Sequence, residues 1–301
     1  MMITQPVFFV NSFLSDCPKP ALSRRMKGEK AMFSIQHIIW IVISVATIVV
    51  GIVVLKKKKP SLKQVLTSAC VVCVASELVK VFSCLQLVPS ADGSILYPYL
   101  ELQHLPLHLC SIQLVFIFWC RFGRGTAAEN RTKQFLLQFM YPTCAIGAPF
   151  AIILPSIFNT TITVSQAFTH PIAYQTFLYH AMLIVLGMYI PMSGEVKFSW
   201  KTYAKTMGFL GLVFFAQIYL NSLFADVTYV NGKLSAVNYV TNFFFVFKTP
   251  IGIALNTKLA WMVYVVILVA LAFLLVWLLY LPLRKTRCWD NPASLQVREQ
   301  S

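Results

Sequence analysis

Seven stretches of this chain are apolar for about as long as a helix needs to cross a bilayer, and no other feature constrains the fold as strongly. They cover residues 35–55, 62–88, 105–122, 135–158, 172–192, 203–224 and 259–283, and a crossing helix takes roughly 20 residues. Hydrocarbon offers no partners for backbone N–H and C=O groups, so each stretch must close its own hydrogen bonds as a helix. The expected fold is all-α: a polytopic helical bundle of seven transmembrane helices, with six as the alternative. One bundle domain at 35–284 would follow a flexible basic tail at 1–34 and precede a cytoplasmic tail at 285–301. A composition 58% apolar and 12% charged, with mean hydropathy +0.71, excludes a water-soluble core.

The net charge of +15 points to topology rather than to nucleic acid, because the basic residues sit beside the apolar segments with no aromatic interleaving. Five Lys follow the first span (Lys56 to Lys59, Lys63), four Lys/Arg follow the third (Arg121, Arg124, Arg131, Lys133), three follow the fifth (Lys197, Lys201, Lys205) and four follow the seventh. The loops after spans two and four carry none. This alternation predicts a multi-pass cell-membrane protein with its N-terminus outside and its C-terminus in the cytoplasm. The basic residues Lys19, Arg24, Arg25, Lys27 and Lys30 pull the other way, which keeps open a six-span reading with the first helix lying along the membrane. The order of apolar and basic residues in that tail is wrong for a signal peptide. Of the eight cysteines, Cys70, Cys73, Cys84, Cys110, Cys120 and Cys144 fall in or beside apolar segments, as small hydrophobes and not a disulfide framework. After span six, the apolar run Phe243 to Phe247 is too short to cross and reads as a re-entrant piece or a cap on the bundle.

Polar residues inside the apolar segments are the candidates for function, since they are expensive there unless paired or used. Glu77 and Lys80, three apart, share a helix face and can form an ion pair. Pro106 suits the first position of the third helix, which leaves His104 just outside, on an extended approach through Leu105. His108 would then sit in the first turn, near the positive helix end, with Ser111 on its face and Cys110 turned away. A neutral histidine there suits proton transfer. His180 lies about eight residues into span five, on the order of 12 Å deep, so Glu77, Lys80, His108 and His180 share the outer half of the bilayer. Gln217 and Asn221, one turn apart on span six, belong to the same level, as interhelical glue or substrate contacts.

The strings Leu105-Pro106-Leu107-His108-Leu109-Cys110-Ser111-Ile112, Phe139 to Gly147, Tyr179-His180, Asn238-Tyr239 and Lys248-Thr249-Pro250 resemble the YwaF-like family of bacterial multi-spanning membrane proteins. That family is distantly similar to a eukaryotic transmembrane phospholipid acyltransferase and to the androgen-induced-gene type of membrane lipid hydrolases. The resemblance implies a nucleophile and a histidine on different helices working within the membrane. It carries the Pro-x-His-Leu core onto Pro106, His108 and Leu109, and the later histidine onto His180; Glu77 and Lys80 have charged counterparts at other spacings. The acyltransferase's reactive cysteine falls on Leu107, whereas Ser111 occupies a hydroxyl-bearing position of the relatives.

Three functions follow as expectations. The first is acyl transfer or hydrolysis on a membrane phospholipid or its acyl chain, with Ser111 or Cys110 as nucleophile and His180 or His108 as base, supported by Glu77, Lys80, His104, Gln217, Asn238 and Tyr239. The second is a zinc hydrolase built on His104, His108, His180 and Glu77, although Pro106 interrupts the helix and no HExxH string is present. The third is passage or binding of a small solute or proton. No phosphate-cradling glycine loop or nucleotide fingerprint indicates a cofactor, and the sequence leaves the oligomeric state open.

Overall fold

The computed structural model describes residues 33–90, 92–231 and 233–289, so the tail reading of 1–34 and most of 285–301 lies outside the described residues. Seven helices carry the chain: α1 (Ile35–Lys58), α2 (Leu62–Cys84), α3 (Leu109–Phe122), α4 (Arg131–Ile153), α5 (Pro171–Met192), α6 (Trp200–Leu223) and α7 (Lys258–Leu283). Their starts follow from local chemistry. Ser34, Asn130, Ser199 and Thr257 each accept a backbone N–H at the N-cap. Ser61 and Gln64 close a reciprocal capping box on α2. Pro171 opens α5.

α5 is the central post, packed by α1, α2 and α4. Ala173, Phe177, Ala181 and Leu183 are fully buried along it. Gly187 brings α5 against α4 more closely than any side chain would allow: a Cβ there would lie 2.9 Å from Cys144 Cβ and 3.1 Å from the Tyr141 carbonyl. The part of α4 it touches is a π-helical turn, Thr143–Gly147. Pro142 brings no N–H to the ladder, and the Thr143 hydroxyl bonds back to the Phe139 carbonyl at 2.7 Å. Such turns are rare and concentrate at functional sites.

Six of the helices are long and apolar enough to cross, and α3 is the exception. The expected third span of 105–122 starts later than Pro106. Residues Leu102–His104 form a 3-10 turn, Leu105 is extended as a residue before proline should be, and α3 begins only at Leu109. Its 14 residues rise about 21 Å, short of a roughly 30 Å core. α1, by contrast, is not the odd helix. Trp40 stacks on Phe177 with centroids 5.0 Å apart and Gly51 meets Val185, so α1 runs parallel to α5 along its length, as one of the six helices long and apolar enough to cross.

Two antiparallel hairpins, not expected from the sequence, join helix ends on the face opposite the basic loops: β1 (Gln86–Pro89) with β2 (Leu96–Tyr99), and β3 (Ala225–Val230) with β4 (Lys233–Tyr239). The expected second span to 88 therefore ends early, at Cys84, where Leu85 turns extended. The run after β4 holds a 3-10 turn at Phe243–Phe245 and packs against the bundle as a strap, with Phe243 and Val246 fully buried.

Gly187→Ala should lower thermal stability of the detergent-solubilised protein by about 1–3 kcal/mol through overpacking against backbone. Gly211→Ala, where a Cβ meets nothing within 4 Å, should leave the melting temperature unchanged or slightly raised.

Candidate functional site

The site forms where α3 begins inside the bundle. His108 is the N-cap residue, with an extended backbone (φ −67°, ψ 152°) and no side-chain capping bond. The first helical hydrogen bond is Ile112 N–H to the His108 carbonyl, 2.9 Å. The N–H groups of Leu109, Cys110 and Ser111 therefore precede the helical ladder, and they point toward the end where a helix favours negative charge. The expectation that Pro106 opens the helix with His108 in its first turn is corrected here. As an N-cap, His108 is aimed by its own extended backbone and not by helical spacing.

His180 enters from α5. Its Nδ1 sits 2.6 Å from the Thr176 carbonyl, so Nδ1 carries the hydrogen and Nε2 is left with the lone pair. His180 follows Tyr179, whose hydroxyl ties α5 to the first turn of α3. The ring of Phe243 meets His108 edge-on, with centroids 4.8 Å apart. Cys110 faces elsewhere. Its sulfur is 3.8 Å from where a Cβ on Gly147 would stand, and its carbonyl accepts the Tyr179 hydroxyl at 3.0 Å.

Glu77 and Lys80 form an ion pair at 2.7 Å, with Lys80 buried. His104 is half-buried; desolvation, only partly offset by the Glu101 carboxylate, pushes its imidazole below the usual value. Among the described residues, no three His, Cys, Asp or Glu side chains are grouped to hold a metal ion.

With this geometry in place, comparison with known families matches the TMEM164 family over residues 32–280. The chain belongs to the TMEM164 family. It is a membrane protein of that family, and the match bears on neither the YwaF-like assignment nor the similarity to the acyltransferase. Neither the curated proteins nor the solved structures gave a match.

The remaining expected residues of this family member divide between the site and the hairpin. Gln217 donates to the Leu107 carbonyl at 3.2 Å, so it holds the turn before His108. Asn238 is exposed on β4 opposite Asp226, and Tyr239 stacks on Phe247 at 4.1 Å. Their contacts belong to the second hairpin and strap rather than to the His108 turn. Two contributors, Gln113 and Tyr179, were not foreseen from the sequence, and a third, Asn221, was expected as interhelical glue or a substrate contact. Gln113, fully buried, donates to the Leu109 carbonyl at 3.1 Å and to Thr143 Oγ1 at 3.0 Å, tying the start of α3 to the π turn. Tyr179 fixes Cys110. Asn221 holds the strap. A polar residue deep in an apolar run was the available signal for Gln113, but an amide there reads equally as helix glue. The side-chain oxygens of Gln113 and Gln217 are buried without a hydrogen-bond partner among the described residues, and each is fixed in direction because the amide NH2 already faces a carbonyl.

Removing one member of the Glu77–Lys80 pair strands a charge in a low-dielectric setting. Glu77→Gln should cost up to roughly 3 kcal/mol, the low end for a broken buried pair, whereas Glu77→Leu with Lys80→Met should recover most of it. Thermal unfolding of the three proteins in the same detergent checks this.

Proposed function

We propose that this protein carries out acyl chemistry on the lipids of the membrane it spans, expected to be a cell membrane, by transfer or hydrolysis of an acyl group. The observation that carries the reading is that Tyr179 ties α5 to the first turn of α3, so that His180, its tautomer fixed by the Thr176 carbonyl, follows directly on the helix bonded to the uncapped start at His108. Acyl transfer needs a base, a nucleophile and donors for a developing oxyanion, and residues of all three kinds lie here.

His180 Nε2 is the base. Ser111 is the nucleophile, since it follows the His108 cap by three residues while Cys110 is held toward Gly147 and Tyr179. The Ser111 hydroxyl attacks the acyl carbonyl carbon and its proton passes to Nε2; the negative charge on the carbonyl oxygen is met by the N–H groups at the start of α3. As the ester bond breaks, the proton returns to the leaving alkoxide. A second hydroxyl, from water or from another lipid, then releases the acyl group by the same steps. His108, beside that helix start, orients the reacting groups. A shallow apolar depression of about 390 Å³ on the α2–α5 face, lined by Val72, Val79, Leu178 and Tyr179 among others, is where acyl chains would lie against the bundle.

Lipidomics of membranes holding equal amounts of wild type, His180→Ala and Ser111→Ala tests this. Specific acyl species should change with the wild type, and the change should fall about 10²–10⁴-fold in His180→Ala, the range for losing a positioned base. Cys110→Ala should keep the activity. An identical lipid profile for wild type and the His108→Ala, His180→Ala double variant would refute the reading.

A further inference from the structure

The strap between β4 and α7 is built unlike the rest of the molecule. Phe244 and Phe245 both have positive φ, 59° and 55°, a left-handed conformation that bulky residues rarely adopt and that costs on the order of 1–3 kcal/mol each. Such a conformation persists only where surrounding contacts over-determine it. Those contacts are present. The fully buried Asn221 uses its whole amide: Nδ2 donates to the Phe243 carbonyl at 3.0 Å and to the Gln217 carbonyl at 2.8 Å, and Oδ1 accepts from Phe243 N at 2.8 Å and Thr241 Oγ1 at 3.0 Å. Asn242 binds the far side of the strap through Phe247 N and the Lys248 carbonyl. From α7, Trp261 donates to the Val246 carbonyl at 3.0 Å and Tyr264 to the Phe245 carbonyl at 2.7 Å.

What this set of bonds delivers is the Phe243 ring, fully buried and edge-on to His108. One helix holds both partners: α6 fixes the turn at Leu107 through Gln217 and the strap at Phe243 through Asn221, one turn further on. The strap is also the cover on the hairpin side, where the chain leaves the bundle for the exposed β3–β4 hairpin and returns through residues 251–256, with Gly252 at φ 76°.

We infer that the segment 241–249 is a latch over His108, closed in this structure, with Asn221 as its catch. Strain stored in Phe244 and Phe245 favours release, and the Asn221 and α7 hydrogen bonds oppose it, which is the balance a two-state element requires. Opening lifts Phe243 off the imidazole and admits the polar reactant from the hairpin end. The latch controls access whatever reaction the site performs, so it stands apart from the lipid chemistry proposed above.

The test reads accessibility and not activity. The full-length protein in proteoliposomes is treated with diethyl pyrocarbonate and modification of each histidine is followed by mass spectrometry. His37 is the internal control, since its ring accepts from Phe33 N and donates to the Ile152 carbonyl inside the bundle. Asn221→Ala should speed modification of His108 at least about tenfold, because three hydrogen bonds to the strap are lost together, while His37 is unchanged. Phe243→Ala should do the same and Phe243→Leu, which still covers the ring, should not. Should Asn221→Ala fail to fold, marked by His37 reacting as well, the Phe243 pair carries the test. A His108 that reacts at the same rate in wild type, Phe243→Ala and Phe243→Leu overturns the latch.

Discussion

A helix that starts inside a membrane protein leaves three or four N–H groups looking for partners, and lipid supplies none. α3 has this problem because the chain cannot begin a helix at Leu105, restricted by Pro106, and reaches helical geometry only at Leu109. The rest of the outer half is arranged around that start. Gln217 holds the carbonyl before it, Tyr179 and Gln113 hold the carbonyls of its first turn, and the strap covers it. The neighbouring helices thus engage the carbonyls of the turn, while its N–H groups remain ahead of the helical ladder. Donors left in this state inside a low-dielectric interior are the raw material of an anion-stabilising site.

The same reasoning explains why α4 carries a π turn at the height of α3's first turn. Pro142 breaks the ladder, and the displaced backbone is steadied by Thr143, whose hydroxyl takes the carbonyl of Phe139 and accepts from Gln113. Gly187 then lets α5 close on the turn from the other side. In hydrocarbon, apolar burial gives no driving force between helices, so contact quality and shared hydrogen bonds must hold the bundle. Small residues on α5 and amides on α3 and α6 supply both, which is why the polar side chains here belong to packing and to the site at once.

Much of the fold is legible in the sequence. Apolar length located all seven helices, and the spacing of Glu77 and Lys80 is that of the observed ion pair. What was not legible depended on starts and returns. Pro106 at the head of a helix and Pro106 two residues before an N-cap leave the same apolar pattern, because Leu105 is extended in both. The hairpins were hidden for a related reason: Gln86 to Pro89 continues the apolar run of α2, and only the extended turn at Leu85 separates them. For the site, position along each helix placed His108, His180, Glu77 and Lys80 near one level. Gln113, and the partners of Asn221, required knowledge of what lay across from them, which a single chain read in order does not contain.

The shifted start of α3 also bears on the two candidate nucleophiles of the proposed reaction. Were Pro106 the first helical residue, His108 would lie on the helix surface, and its relation to Ser111 and Cys110 would follow from 100° steps alone. With His108 at the cap, its direction is independent of the helix, and the first three residues have distinct surroundings. Leu109 packs toward Gly147, and Cys110, half-buried, is pinned through its carbonyl to Tyr179 with its sulfur beside the same glycine. The Ser111 hydroxyl stands in the same first turn, whose N–H groups precede the helical ladder, and that asymmetry favours Ser111 wherever the chemistry is acyl transfer.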